Sequence, residues 1–448
     1  MLTPIPTAET TLPKWELKQL LKHGRDRLTR GIQGRKTALA SSVFNLMNAI
    51  MGSGMLGLPY IMSKVGILLF LGMMLMMAFL VERSIHLLIV SAQVAGVRSY
   101  EELGEAAFGT TGKAIVCGMI CMQNAGAMTS YLVVIGDIGP SVIKMAFSKW
   151  ISPTWYSRDV FLTLVTLLIV FPLAMLREIG LLGYTSSMSI SCLVFFAGVV
   201  IYKHAEIPCE PHIEQWGCHT TYAKVDIDFF LALPTMCFSF LCHTCLLPVF
   251  KELDAADKLG RTHRPKTRIQ QAARFAVGGS ATLYFIVALF GYLTFYNHTN
   301  EDLLNNFIQY DGSHDNLTIV VQILLLLSFI VTIPLINFPL RRALEMFFYP
   351  GEAFSWVRHV TETTAVIALV LVLAIEIPNI TTVFGLIGCT SSVTLIFLMP
   401  CSIYLKVEEG EWSETHKWWA AAMFVGGCVM GVVSLFGVIY GWVHKAEN

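Results

Sequence analysis

Long apolar stretches alternate with short polar ones along this chain, and most run to the roughly 20 residues that a helix needs to cross a bilayer. The pattern predicts eleven helical spans, centred near Gly52, Met77, Met128, Thr166, Phe195, Ser239, Ile286, Ile330, Leu371, Ser391 and Gly431. Two of them are interrupted. The first, SSVFNLMNAIMGSGMLGLPY from Ser41 to Tyr60, carries Gly52-Ser53-Gly54 near its middle. The sixth, LPTMCFSFLCHTCLLPVFKEL, places Pro234 and Pro248 on either side of Phe238-Ser239-Phe240 and Cys242-His243. Proline removes a helix donor and clashes with the turn before it.

Backbone that unwinds at membrane depth survives only where protein buries it or where it lines a cavity. Its bare groups can then bind: half-helix N-termini suit a carboxylate, and freed carbonyls suit a small cation. One break in the first span of each five-span half is the arrangement expected of an inverted repeat. The predicted fold is therefore all-α and multispanning. Residues 41–203 and 226–405 form its two repeats, and an extra helix follows at about 416–443. A plainer account stays open, because small residues also let two membrane helices pack closely and each break can be a packing kink.

Composition agrees with a bilayer protein, with 55% hydrophobic and only 14% charged residues. The net charge of zero says little, because position carries the information. With the N-terminus inside, 23 of the 31 Lys and Arg residues fall on inside segments and 7 on outside ones, leaving Arg83 within the second span. The predicted topology has a cytosolic basic tail over residues 1–40, the membrane domain over 41–443 and an extracellular tail over 444–448. The first forty residues show no signal-peptide pattern, so the tail is expected to stay.

Outward loops carry chemistry that suits a secretory route. Asn297-His298-Thr299 and Asn316-Leu317-Thr318 are glycosylation acceptors between spans seven and eight. Asn297 is the better candidate, since Asn316 lies at the membrane edge, and Asn379-Ile380-Thr381 sits in a very short turn. Nine of the eleven cysteines fall within spans, where a free thiol behaves as a small buried hydrophobe. The remaining two, Cys209 and Cys218, share one outward loop and are expected to form a disulfide. His204, His212 and His219 lie there too, at a spacing too irregular for a metal site. No phosphate-binding loop, metal cluster or nucleophile arrangement is present, so neither an enzyme nor an ATP-driven pump is predicted, and no cofactor or nucleic-acid partner is expected.

The chain resembles the sodium-coupled neutral amino acid transporters, the system A and system N group of the amino acid and auxin permease family. The resemblance rests on SVFNLMNAIMGSG from Ser42, YEELGEAAFG from Tyr100, GAMTSYL from Gly126, LGYTSS from Leu182 and FSFLCHTCLLPVFKEL from Phe238. It continues in FGYLTFY from Phe290, TIPLINFPLRRAL from Thr332 and PGEAFSWVRHV from Pro350, the last two leaning towards system N. This resemblance implies the five-plus-five fold of the amino acid, polyamine and organocation carriers and uptake of small neutral amino acids with Na⁺. In system N-like members, outward proton movement accompanies it. It also implies a sodium site on Asn48 and Thr332.

The residues support that site physically. Na⁺ is a hard cation that takes several oxygens, which a carboxamide, hydroxyls and carbonyls supply without a full charge. Asn48 and the Met51 carbonyl stand beside the first break, while Ser328 and Thr332 lie four residues apart on one helix face. Alternatively, Ser and Thr back-bond to their own helix and Asn48 bridges two helices. The substrate is expected between the breaks. Gly52, Ser53 and Gly54 would hold its carboxylate, carbonyls near Phe238 and Ser239 its ammonium, and Asn124, Ser130 and Tyr131 its side chain. His243, a residue type that titrates near neutrality, is either a proton carrier or a helix-to-helix bridge.

Several features depart from the family pattern. Gly136-Asp137-Ile138-Gly139 replaces the usual Lys and Glu of the outer gate, Glu82-Arg83 puts two charges in the second span, and the loop between spans five and six is short. Lys14 to Arg35 would rest on anionic lipid or remain a solvated tail, and His444 would sense external pH. The expected function is Na⁺-coupled import at the plasma membrane of a glutamine-like or small neutral amino acid, by a carrier that works as a monomer. Proton-driven or uncoupled export from a vesicle or lysosome, and a non-transporting amino acid sensor, are the alternatives.

Overall fold

A computed structural model describes residues 39–147, 157–176, 182–207, 218–259, 265–311, 316–377, 379–408 and 415–447. Among these residues there is helix and no strand. The first half comprises α1 (Leu39–Ile50), α2 (Gly54–Val65), α3 (Ile67–Ala95), α4 (Tyr100–Phe147), α5 (Arg158–Val165), α6 (Phe171–Ala174) and α7 (Leu182–Glu206). The second comprises α8 (Ile227–Ser239), α9 (His243–Leu259), α10 (Pro265–Phe295), α11 (Leu303–Asp311), α12 (Asn316–Phe348), α13 (Trp356–Glu376), α14 (Ile380–Ile387) and α15 (Met399–Val407). α16 (Thr415–Glu447) follows.

Nine segments of the described residues are long and apolar enough to cross a membrane, or ten when the bent pair α1 and α2 counts as one span. The predicted crossing near Thr166 is α5, a π-helical turn over Thr166–Val170 and α6, which are 8, 5 and 4 residues long and fall short of that length. Burial sorts the crossings into a centre and a rim. The apolar windows of Phe229–Lys251, Ile380–Val407 and Tyr100–Lys144 are 78%, 72% and 67% buried, against 33% for α3 and 28% for α16. The broken segment α8–α9, the α14–α15 crossing and α4 therefore form the middle, and the extra helix faces outward. Both broken segments open a half and touch each other through α2 and α8, as the five-plus-five inverted repeat requires.

Local chemistry explains the joints. Gly66 turns the chain between α2 and α3 at φ 85°, and a Cβ there would fall 2.7 Å from the carbonyl carbon of Tyr222. The segment before α8 lies across that turn, with Ile67 N–H donating to Thr221 O at 3.1 Å and Lys224 N–H to Val65 O at 2.8 Å. In α4, non-helical geometry at Phe108 and Gly109 (φ 64°) separates a short leading helix from the membrane span. Residues Gly388–Ser392 and Thr394–Leu398 between α14 and α15 are π-helical, a widening often found where a helix carries function.

Candidate functional site

At the first break the chain leaves α1 and enters α2 with a bend of 55°. Met51 N–H still reaches Met47 O at 2.7 Å, and the next bonded donor is Met55, which reaches Gly52 O at 3.3 Å. The backbone N–H groups of Ser53 and Gly54 thus have no helical acceptor, while that of Gly52 donates to the Tyr284 hydroxyl. Both glycines are also close approaches. A Cβ on Gly52 would lie 2.1 Å from Tyr131 Oη, and one on Gly54 would lie 2.6 Å from Ser239 Oγ. Bare backbone and close packing therefore coexist here. Ser53 Oγ meets Ser130 Oγ at 2.6 Å, tying the break to α4.

The second break lies between Ser239, the end of α8, and His243, the start of α9. Tyr284, on α10 and fully buried, joins the two breaks, since its hydroxyl lies 2.6 Å from Ile50 O and 3.0 Å from Ser239 O. The two carbonyls expected to receive an ammonium are thus both engaged: Ser239 O with Tyr284, and Phe238 O with Leu241 N–H at 3.4 Å. Nothing local in the sequence marks Tyr284, because its partners lie 234 and 45 residues away.

A cavity of about 300 Å³ starts at the breaks and runs towards the end of the bundle that holds Ser99, Glu101, Val249 and Arg342, the end richest in Lys and Arg. Of the predicted residues, Asn48, Gly52, Ser53, Gly54, Asn124, Tyr131, Phe238, Ser239 and Thr332 line it. Met51, Ser130, Ser328 and His243 do not. At the opposite end, aromatic stacks of Tyr131 on Phe329 (5.0 Å) and Phe238 on Phe384 (4.6 Å) close over the breaks.

Polar groups are distributed unevenly around this wall. The buried Oδ1 atoms of Asn45 and Asn48 have no hydrogen-bond partner. Thr332 Oγ1 donates to Ser328 O at 2.7 Å, which leaves its lone pairs available, whereas Ser328 Oγ turns to Ser189 Oγ on α7 at 2.5 Å. Asn124 Nδ2 donates to Ile120 O at 3.0 Å. Its neighbour Gln123, which sequence reading missed, lines the cavity and accepts from Ser391 (2.8 Å) and Ser392 (2.7 Å) of the π-helical stretch. The polar pair Gln123-Asn124 inside an apolar span was the available signal.

The pattern of one protein family, described as transmembrane amino acid transporter protein, matches residues 35–444. This chain belongs to that family. The transporter moves amino acids across a membrane as a multi-pass protein and is not an enzyme. Solved structures share its fold at low identity. The inward-facing conformation of Mhp1 is 10% identical over 91% of each chain, with a TM-score of 0.56. MhsT in complex with L-phenylalanine is 12% identical over 89% of this chain and 98% of that one, with a TM-score of 0.60. A mutant manganese transporter of Eremococcus coleocola is 15% identical over 91% and 88%, with a TM-score of 0.55.

Other predicted residues of the transporter lie away from the cavity. His243 is wholly buried, and its Nε2 meets Ser84 Oγ at 3.0 Å while Ser84 donates to Ile396 O. That is a bridge among α9, α3 and the π-helical stretch. Asp137 pairs with Arg158 at 3.0 Å, and Glu82 pairs with Arg274 at 2.5 Å. Near the closed end, Glu301 accepts from Thr381 at 2.5 Å. Asp302 is buried beside it, and burial pushes its carboxyl up to about 7 against the opposing Leu304 N–H, with the Asp137 charge adding to the rise. Asn297 and Asn316 are both exposed. Cys218 is not among the free cysteines, and Cys209, Lys14 to Arg35 and the Asn448 terminus lie outside the described residues.

Proposed function

We propose that the transporter carries neutral amino acids, of the glutamine, asparagine and histidine type or of the small neutral type, together with Na⁺, by alternating access between the two ends of the bundle. One observation supports this most directly. The unpartnered carboxamide oxygen of Asn48 and the Thr332 hydroxyl share a wall with the bare N–H groups of Ser53 and Gly54. Neutral oxygens suit a weakly held monovalent cation, and converging N–H groups at the start of α2 suit a carboxylate. Gln123 and Asn124 supply both donors and acceptors for a side-chain amide, which a site built for hydrogen bonds discriminates strongly.

Two relatives in fold lend support. MhsT is described with an amino acid bound, and Mhp1 is described as a nucleobase-cation-symport-1 family transporter. A manganese substrate is less suited to this chain, because no group of three or more His, Cys, Asp and Glu in its described residues is arranged to hold a metal. His243 stays outside the proposal as a proton carrier, since its ring is engaged away from the cavity. The proposed orientation has the Lys- and Arg-rich end in the cytosol, so the cavity is inward-open. Asn297 would then be glycosylated, and Cys209 would pair with Cys218, on the outer face of the plasma membrane.

Radiolabelled glutamine uptake into cells expressing the chain tests this reading, with Na⁺ replaced by choline and Asn48→Ala run in parallel. Uptake should collapse in choline, and the variant should need far more Na⁺ for half-maximal rate. Undiminished uptake in choline would remove Na⁺ coupling. Normal Na⁺ dependence in the variant alone would remove Asn48 from the site.

A further inference from the structure

Glu82 and Arg83 sit side by side in α3, a span only 33% buried, and the structure treats them differently. Glu82 is neutralised by Arg274 on α10 at 2.5 Å. Arg83 is exposed, forms no ion pair among the described residues, and holds its guanidinium over the Phe79 ring at 5.1 Å. An ionised side chain on the rim of a membrane bundle is expensive unless something answers its charge.

Around it lie two adjoining clefts. One, of about 220 Å³, gathers the charged and polar side chains of Glu82, Arg83, His86, Gln270, Arg274 and His416, with Ile85 and Ala273 completing its wall. The other, of about 160 Å³, is apolar apart from the three residues it shares with the first, and its walls are Phe79, Leu87, Trp419 and Met423. Arg83, His86 and His416 border both. His86 and Gln270 are fixed to each other at 2.6 Å, and the His86 and His416 rings lie 6.3 Å apart. A chamber that gathers charged side chains and is continuous with an apolar slot has the form of a phospholipid, headgroup and chain.

The depth agrees. His416 is the second residue of α16, and Trp418 and Trp419 just beyond it are 63% and 54% exposed. Exposed tryptophans at a span's first turn mark the membrane–water interface, the level of the lipid phosphates. Phe275 beside Arg274, 66% exposed, continues an apolar flank that faces acyl chains.

We propose that this double cleft between α3, α10 and α16 binds one anionic phospholipid, with its phosphodiester on Arg83 and an acyl chain along Phe79, Leu87, Trp419 and Met423. The Glu82–Arg274 pair leaves Arg83 as the uncompensated charge, so the cleft prefers an anionic headgroup to a zwitterionic one. It lies away from the amino acid cavity and shares no lining residue with it.

Native mass spectrometry of the full chain in detergent tests the site, with phosphatidylserine or phosphatidylcholine added in equal amount. Phosphatidylserine should be retained in preference, and Arg83→Gln should lower that retention by roughly fivefold, the weight of one basic residue at an anionic surface. Trp419→Ala, at an exposed position, should weaken retention of both lipids and serves if Arg83→Gln fails to fold. Equal retention of the two lipids would overturn the proposal, as would phosphatidylserine binding unaffected by either substitution. Displacement by inorganic phosphate at matched concentration would also overturn it, by showing a soluble anion site instead.

Discussion

The hydroxyl of Tyr284 lies 2.6 Å from the carbonyl oxygen of Ile50, at the point where α1 stops being a helix. The same oxygen is 3.0 Å from Ser239 O, where α8 stops. A phenol has one proton, so the two carbonyls share a single donor, and the two breaks are held to one buried atom. The two breaks are thereby tied to each other. Leaving a buried carbonyl unpaired costs about 1–3 kcal/mol. Tyr284→Phe is expected to lower the melting temperature in detergent and to slow uptake of a neutral amino acid, both measured at matched surface expression. Wild-type values for both would show that the bridge carries no weight.

Gly52→Ala should abolish uptake, because the added Cβ would fall 2.1 Å from Tyr131 Oη. Overpacking of this kind costs about 1–3 kcal/mol where the neighbours cannot give way. Tyr131→Phe removes the nearest atom in conflict and leaves only the ring carbons at 2.9 and 3.0 Å, so the double variant should recover part of the activity that the single one loses. Uptake with surface biotinylation checks both, and full activity in Gly52→Ala would mean that the break has room to spare.

Ser328 and Thr332 should separate functionally although they stand one helical turn apart. The Ser328 hydroxyl is engaged with Ser189 at 2.5 Å, while Thr332 lines the cavity. Thr332→Ala is therefore expected to raise the Na⁺ concentration for half-maximal uptake severalfold, and Ser328→Ala to leave it unchanged with a modest loss of thermal stability. Na⁺ titrations of uptake in the two variants decide this, and a larger shift in Ser328→Ala would reverse the assignment.

Asp302 gives the closed end a pH dependence whose sign can be worked out. Burial, first, and the Asp137 charge raise its carboxyl to about 7, whereas an unfolded chain ionises Asp near 3.9. Between those values the native state keeps a proton that the unfolded state has released. Stability from this group therefore falls as pH rises from about 4 to about 7 and levels off above. Asp302→Asn should flatten melting curves measured from pH 5 to 8.5 and be the more stable form at the alkaline end. A wild-type melting temperature that rises across that window, unaltered by the substitution, would contradict this.

Much of the molecule was legible in local chemistry. Apolar length marked the crossings, except that near Thr166, whose described helical turns are short. Gly52-Ser53-Gly54 and the prolines at 234 and 248 marked both breaks, because glycine and proline act on the backbone beside them. Asn48 and Thr332 were reached through the family resemblance, Asn124 and Tyr131 through their place on the third span, and all four line one cavity. Ser328, one turn before Thr332, faces α7 and not the cavity. Four residues of helix turn about 40° past a full circle, enough to aim Ser328 at α7 and Thr332 at the cavity.

By itself, then, the sequence determined that this is a multispanning membrane protein with a break in each half, since hydropathy and backbone propensity are properties of neighbouring residues. Tertiary structure alone decided which faces meet. Tyr284 finds Ile50 across 234 residues, Gln123 finds Ser391 across 268, and Glu82 finds Arg274 across 192. Such pairings depend on how each helix is rotated against the rest of the bundle. That rotation is set by packing among many helices and leaves no mark in any single one of them.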